Sequence, residues 1–84
     1  MEVNMREQIL EKIIDRAAPI FGLEKSAISE DTTFAECNAK SAHFSQITTY
    51  LEDEFDVEIP FMGFRRQKTF GEAADFVFDI IEDN

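Results

Sequence analysis

Apolar residues recur at helical spacing in three stretches of the chain. In the first, Ile9, Leu10, Ile13, Ile14 and Ala17 mark one face, while Glu7, Glu11, Lys12 and Arg16 keep the other charged. Asn4 stands as an N-cap with Glu7 three residues on, so a helix is predicted from about Asn4 to Ala18. Pro19 lacks an N–H and clashes with the carbonyl four residues back, which predicts a stop or bend there. In the second stretch Phe44, Ile47, Leu51 and Phe55 follow at i, i+3, i+7 and i+11, with Tyr50 beside them. A helix over Ser41 to Phe55 is expected, with the Ser41 side chain as its N-cap. The third opens at Thr69, with Glu72 placed to complete a capping box. Phe70, Ala73, Ala74, Val77 and Ile81 form its apolar face, widened by Phe76 and Ile80.

Between these stretches the period is lost. From Gly22 to Lys40 only Leu23, Ile28 and Phe34 interrupt a run of polar residues, and all three are expected to pin the connection to the core. Long ordered connections of this kind are often functional. Phe61 to Lys68, with Gly63 in its middle, reads as about one turn of helix. Three helices, a short one and a long first connection predict an all-α fold, a small four-helix bundle.

Composition narrows the function. Eighty-four residues allow one domain, residues 1–84, with a radius of gyration near 12 Å. Hydrophobic residues make up 44%, and nine Phe without a Trp point to a core of Phe and aliphatic side chains. With 18 Asp+Glu against 8 Lys+Arg the net charge is −10, which disfavours nucleic acid and favours partners that present Lys and Arg. No apolar run approaches the roughly 20 residues of a membrane span. Glu2 and the lack of an apolar leader argue against a signal peptide, so a cytoplasmic monomer with no transmembrane segment is expected. Cys37 is the single cysteine and His43 the single histidine. They allow no internal disulfide, no cysteine-based zinc site and no assembled catalytic set, so neither catalytic nor metal-ligating residues are expected. The second helix ends in Glu52, Asp53 and Glu54, followed by Asp56 and Glu58. Acids there oppose the helix dipole, so helix stability does not account for them.

Leu51-Glu52-Asp53-Glu54-Phe55-Asp56-Val57-Glu58-Ile59-Pro60 resembles the acidic end of the second helix of the acyl carrier protein family and the Ile-Pro after it. Thr69-Phe70-Gly71-Glu72-Ala73 is similar to the start of that family's fourth helix, and Phe21-Gly22-Leu23 to the end of its first. Counting back from Leu51 puts Ser41 on the serine of the family's Asp-Ser-Leu motif. The resemblance implies that Ser41 carries 4′-phosphopantetheine, covalently attached from coenzyme A by a phosphopantetheinyl transferase, and that the chain carries acyl groups as thioesters. It implies a non-catalytic carrier in fatty acid, lipid or specialised biosynthesis. Its partners would be acyl-activating, synthase or acyltransferase enzymes with basic or mixed-charge docking surfaces.

Several residues depart from the family pattern. Asp-Ser-Leu is here Lys40-Ser41-Ala42, and Asn38 stands near the place of a glycine. His43 and Gln46 occupy positions where the family has acids, and Arg65, Arg66 and Lys68 replace acids on the third segment. A phosphodiester on Ser41 would sit at the positive end of the helix dipole, with Lys40 as a neighbouring cation. His43, Gln46, Glu52, Glu54, Arg65 and Arg66 are the candidate partner contacts. Phe44, Ile47, Leu51, Phe61, Met62 and Val77 are the candidate lining of an acyl pocket. Two other readings remain open: an unmodified carrier-like protein acting as an interaction or regulatory subunit, and a peptidyl or aminoacyl carrier.

Overall fold

The computed structural model describes residues 4–83. Helix α1 spans Met5–Phe21, and the Asn4 side chain caps it by accepting the Glu7 N–H at 2.8 Å. Ile9, Ile13 and Ala17 from its apolar stripe are fully buried. The helix passes through Pro19 and ends three residues beyond the expected stop at Ala18. Proline removes one hydrogen bond in a turn that is already the last. The termination belongs to Gly22, whose φ of 67° and ψ of 32° reverse the chain. Its N–H reaches the carbonyls of Ala18 and Pro19, and the Leu23 N–H bonds Ala18 at 2.9 Å, closing the orphan carbonyls.

The long connection holds a single 3₁₀ turn at Lys25–Ala27 and then crosses the bundle. Ile28 and Phe34 are buried as expected, but Leu23 is 41% exposed and takes no part in the core. Phe34 is the anchor. Its ring stacks on Phe70 at 4.4 Å between centroids and tilts against Phe44 at 5.1 Å and Phe64 at 6.1 Å. A connecting residue thus touches one aromatic side chain from each of the three later helices. An antiparallel bridge pairs Thr33 with Thr69, the Phe34 N–H donating to Lys68 and the Phe70 N–H to Thr32, both at 3.0 Å.

Helix α2 spans Ser41–Phe55, α3 spans Phe61–Arg65 and α4 spans Phe70–Asp83. Ser41 is the first helical residue of α2, and the cap position falls to Lys40. The expected serine cap is therefore absent, because the chain is still extended at Lys40 and turns helical at Ser41. At α4 the Thr69 hydroxyl accepts the Glu72 N–H at 3.0 Å, while Glu72 accepts from Lys68 at 3.1 Å, one residue earlier than a standard box. Helix α1 packs most extensively on α4 and then on α2, which in turn supports α3. Phe64, Phe70, Ile9, Ile13, Ile47, Leu51 and Val77 fill the centre. The bundle has a radius of gyration of 11.7 Å, and no strand longer than the single bridge forms among the described residues.

Candidate functional site

The segment ahead of α2 is ordered by short turns. Cys37 and Ala39 donate backbone N–H groups to the Phe34 carbonyl at 3.1 Å, and Asn38 donates to Ala35 at 3.1 Å. Asn38 has a φ of 56°, the left-handed region that glycine and asparagine tolerate best. Asn38 thus holds the left-handed position in the turn that leads into Ser41. Ser41 is exposed, and its hydroxyl makes no hydrogen bond among the described residues. The adjacent N–H groups of Ser41 and Ala42 also lack backbone partners among those residues, as the first turn of a helix requires.

His43 does the capping instead of serine. Its Nδ1 accepts the Lys40 N–H at 2.9 Å. The ring also meets Phe21 edge-on, with centroids 4.9 Å apart, so the end of α1 braces the start of α2. Lys40, Ala42 and Gln46 are exposed around Ser41.

A surface cleft of about 560 Å³ opens beside this helix start. Thr33, Phe34, Ala35 and Ala39 form one wall, Phe44 the floor, and Met62 with residues 65–68 the other wall. Of the six residues expected to line an acyl pocket, Phe44 and Met62 face this cleft. Ile47, Leu51 and Val77 are fully buried in the core, and Phe61 is half-buried outside the lining. The loop wall was missed by periodicity, although the isolated apolar Phe34 marked its anchor.

Charges around the site are partly committed within the chain. Glu52 accepts the Ile59 N–H at 2.8 Å and so shapes the exit of α2, whose C-cap, Asp56, is left-handed at φ 53°. Glu54 pairs with Lys12 at 2.9 Å. Asp53, Asp56 and Glu58 remain exposed beside them. Arg6 pairs with Glu30 and Asp75, and Lys25 with Asp15. Arg65, Arg66 and Lys68 are exposed and enter no ion pair among the described residues. Burial pushes the half-buried Cys37 thiol up, away from reactive thiolate. No cluster of metal-ligating side chains forms, and no helix is long and apolar enough to cross a membrane, among the described residues.

Residues 11–77 match the model of the family described as the phosphopantetheine attachment site. The acyl carrier protein of Lactobacillus acidophilus is 36% identical over 72 residues, covering 84% of this chain and 90% of the relative. That of Rubrobacter xylanophilus is 32% identical over 75 residues, covering 88% and 93%. That of Cyanidioschyzon merolae is 31% identical over 72 residues, covering 84% and 79%. The exposed serine at the start of α2 has a hydroxyl without a hydrogen-bond partner among the described residues, next to first-turn N–H groups of the kind that favour an anion. With the family match running from α1 to Val77 of α4, this chain belongs to the acyl carrier protein family, whose cofactor is covalently attached 4′-phosphopantetheine.

Proposed function

We propose that Ser41 bears the phosphopantetheine arm and that the chain holds acyl groups as thioesters on the arm's terminal thiol. It presents them to enzymes that activate, extend or transfer acyl chains, and it is itself a substrate of a phosphopantetheinyl transferase. The carrying observation is the unbonded, exposed Ser41 hydroxyl at the start of α2, beside a cleft whose loop wall and floor are mostly apolar. The arm supplies the thiol. The protein supplies the helix-terminal N–H groups and Lys40 near the phosphodiester, and the cleft as shelter. Docking enzymes would meet the exposed acids Asp53, Asp56 and Glu58 at the far end of α2, with His43 and Gln46 near the arm. Glu52 and Glu54 add charge there despite their internal bonds, and Arg65 and Arg66 supply a basic border.

Intact mass after incubation with a broad-specificity transferase and coenzyme A tests the reading. One phosphopantetheinyl addition is expected on the wild type and none on Ser41→Ala. No addition, or an addition that persists in the variant, overturns the assignment. Lys40 reverses the charge of the acid that precedes the family's serine, so Lys40→Asp with Ala42→Leu should speed loading by a housekeeping transferase.

A further inference from the structure

The cleft beside Ser41 is divided by chemistry. Its loop wall and floor are mostly apolar, built from Phe34, Ala35, Ala39 and Phe44 with Thr33 as the one polar residue. Its opposite wall carries Arg65, Arg66 and Lys68. No Asp or Glu lines it, in a chain with 18 acids and a net charge of −10. Glu36, the nearest acid in the loop wall, is turned to Thr33, whose N–H and hydroxyl it accepts at 2.8 and 3.0 Å. Gln67, between the cations, donates to the Gly63 carbonyl at 3.0 Å and is committed to the end of α3. Arg6, Lys12 and Lys25 each pair with a carboxylate, whereas Arg16, Lys40 and the three cleft cations enter no ion pair among the described residues, and only Arg65, Arg66 and Lys68 of these five line the cleft. Cations gathered on one wall of a cleft focus a positive field into it.

We infer that this cleft holds the distal end of a carried acyl group that terminates in a carboxylate, with Arg65, Arg66 and Lys68 as its receptor. The inference rests on Ser41 bearing the arm, and it names the class of cargo. The methylene portion would lie along Phe34 and Phe44, with Met62, 53% exposed, folding over it. A methyl-terminated chain of the same length would place an apolar end against guanidinium groups and strip water from them without return. A carboxylate offers the two-oxygen partner that a guanidinium fork fits. The volume of about 560 Å³ falls in the range of roughly 300–1,000 Å³ that small-ligand pockets occupy.

The test needs no partner enzyme, so protein docking to the same cations cannot imitate its result. The full chain is loaded at Ser41 with three hydrolysis-resistant arms: the bare arm, an amide-linked pentanoyl arm and an amide-linked glutaryl arm. Backbone amide shifts are then compared. The glutaryl arm should shift the amides of residues 65–68 beyond either other arm, and added salt should shrink that difference. Arg66→Gln with Lys68→Gln should shrink the glutaryl-specific shift at least threefold while leaving the difference between the pentanoyl and bare arms as it was. Equal shifts from pentanoyl and glutaryl arms overturn the inference, as does the absence of any shift at residues 65–68. Full-sized shifts from the bare arm would make the arm's own phosphodiester the bound anion, which also overturns it. The wild-type comparison stands even where the double variant fails to fold. Failure to load Ser41, seen by intact mass before any spectrum, refutes the arm assignment itself and removes the inference with it.

Discussion

Removing the Ser41 hydroxyl should separate modification from stability. A serine whose side chain caps a helix loses about 0.5–2 kcal/mol on replacement by alanine. Here the cap position is Lys40, Ser41 is already helical, and its hydroxyl bonds nothing among the described residues. An exposed substitution of that kind stays within about 0.5 kcal/mol, and alanine's better helix propensity favours the variant slightly. His43→Ala is the contrasting change. It deletes the Nδ1 acceptor of the Lys40 N–H and the edge contact to Phe21 at 4.9 Å. One hydrogen bond and one aromatic contact, discounted for half-burial, amount to about 1–2 kcal/mol. The domain's whole stability, at ~0.05–0.15 kcal/mol per residue, is roughly 4–13 kcal/mol, so that loss is readily measured. Urea unfolding followed by circular dichroism gives both values, with an unchanged slope expected for each variant. A Ser41→Ala loss above about 1 kcal/mol would refute this capping scheme, as would a His43→Ala loss below about 0.5 kcal/mol.

Phe34→Ala should destabilise by about 3–5 kcal/mol, since its ring is 3% exposed among Phe44, Phe64 and Phe70. Denaturation shows this, and a loss below about 2 kcal/mol would mean that the loop is not anchored there. A Cβ on Gly63 would lie 2.5 Å from Cζ of Phe76, so Gly63→Ala should lose about 1–3 kcal/mol by overpacking, partly offset by helix propensity. Phe76→Leu in the same chain should recover part of that loss in a double-mutant cycle, and strict additivity would deny the contact. The Glu36 carboxylate is held below the usual glutamate range by the N–H of Thr33 and then by its hydroxyl. Its folded pKa is depressed, so its contribution is present above the unfolded value and lost as pH falls through the folded one. Thr33→Val should therefore raise the Glu36 midpoint in an NMR titration, and an unmoved midpoint would refute the hydroxyl's part.

Helical periodicity carried most of the fold. The bounds of α2 agree with Ser41 to Phe55, because Phe44, Ile47 and Leu51 all face one core. The exposed serine at its start was legible for the same reason, since a polar run ends where the apolar stripe begins. What periodicity missed depends on backbone angles or on distant partners. Pro19 reads as a breaker, but the chain reverses only where Gly22 can turn left-handed. Ser41 reads as a cap, but whether Lys40 or Ser41 is extended is a matter of φ and ψ, not of residue type. Glu52 belongs to an acidic run in the sequence, yet one of its oxygens serves the Ile59 N–H seven residues away. The cleft joins residues 33–39 to residues 62–68, and no local pattern reports a wall made from two separate segments.

The bridge between Thr33 and Thr69 also sets an order of events in the life of the chain. The turn that delivers Ser41 is fastened to residues 68–71, through the Phe34, Phe70 and Gly71 N–H bonds at 2.8–3.0 Å and the Phe34–Phe70 stack. Such distant closures form late, after the local helices. A nascent chain that has emerged only as far as α2 already contains Ser41, but it lacks the strand partner and the aromatic ring that hold the turn in place. The setting of Ser41 near the middle of the chain therefore depends on contacts made at the start of its last helix, three backbone hydrogen bonds and one aromatic stack.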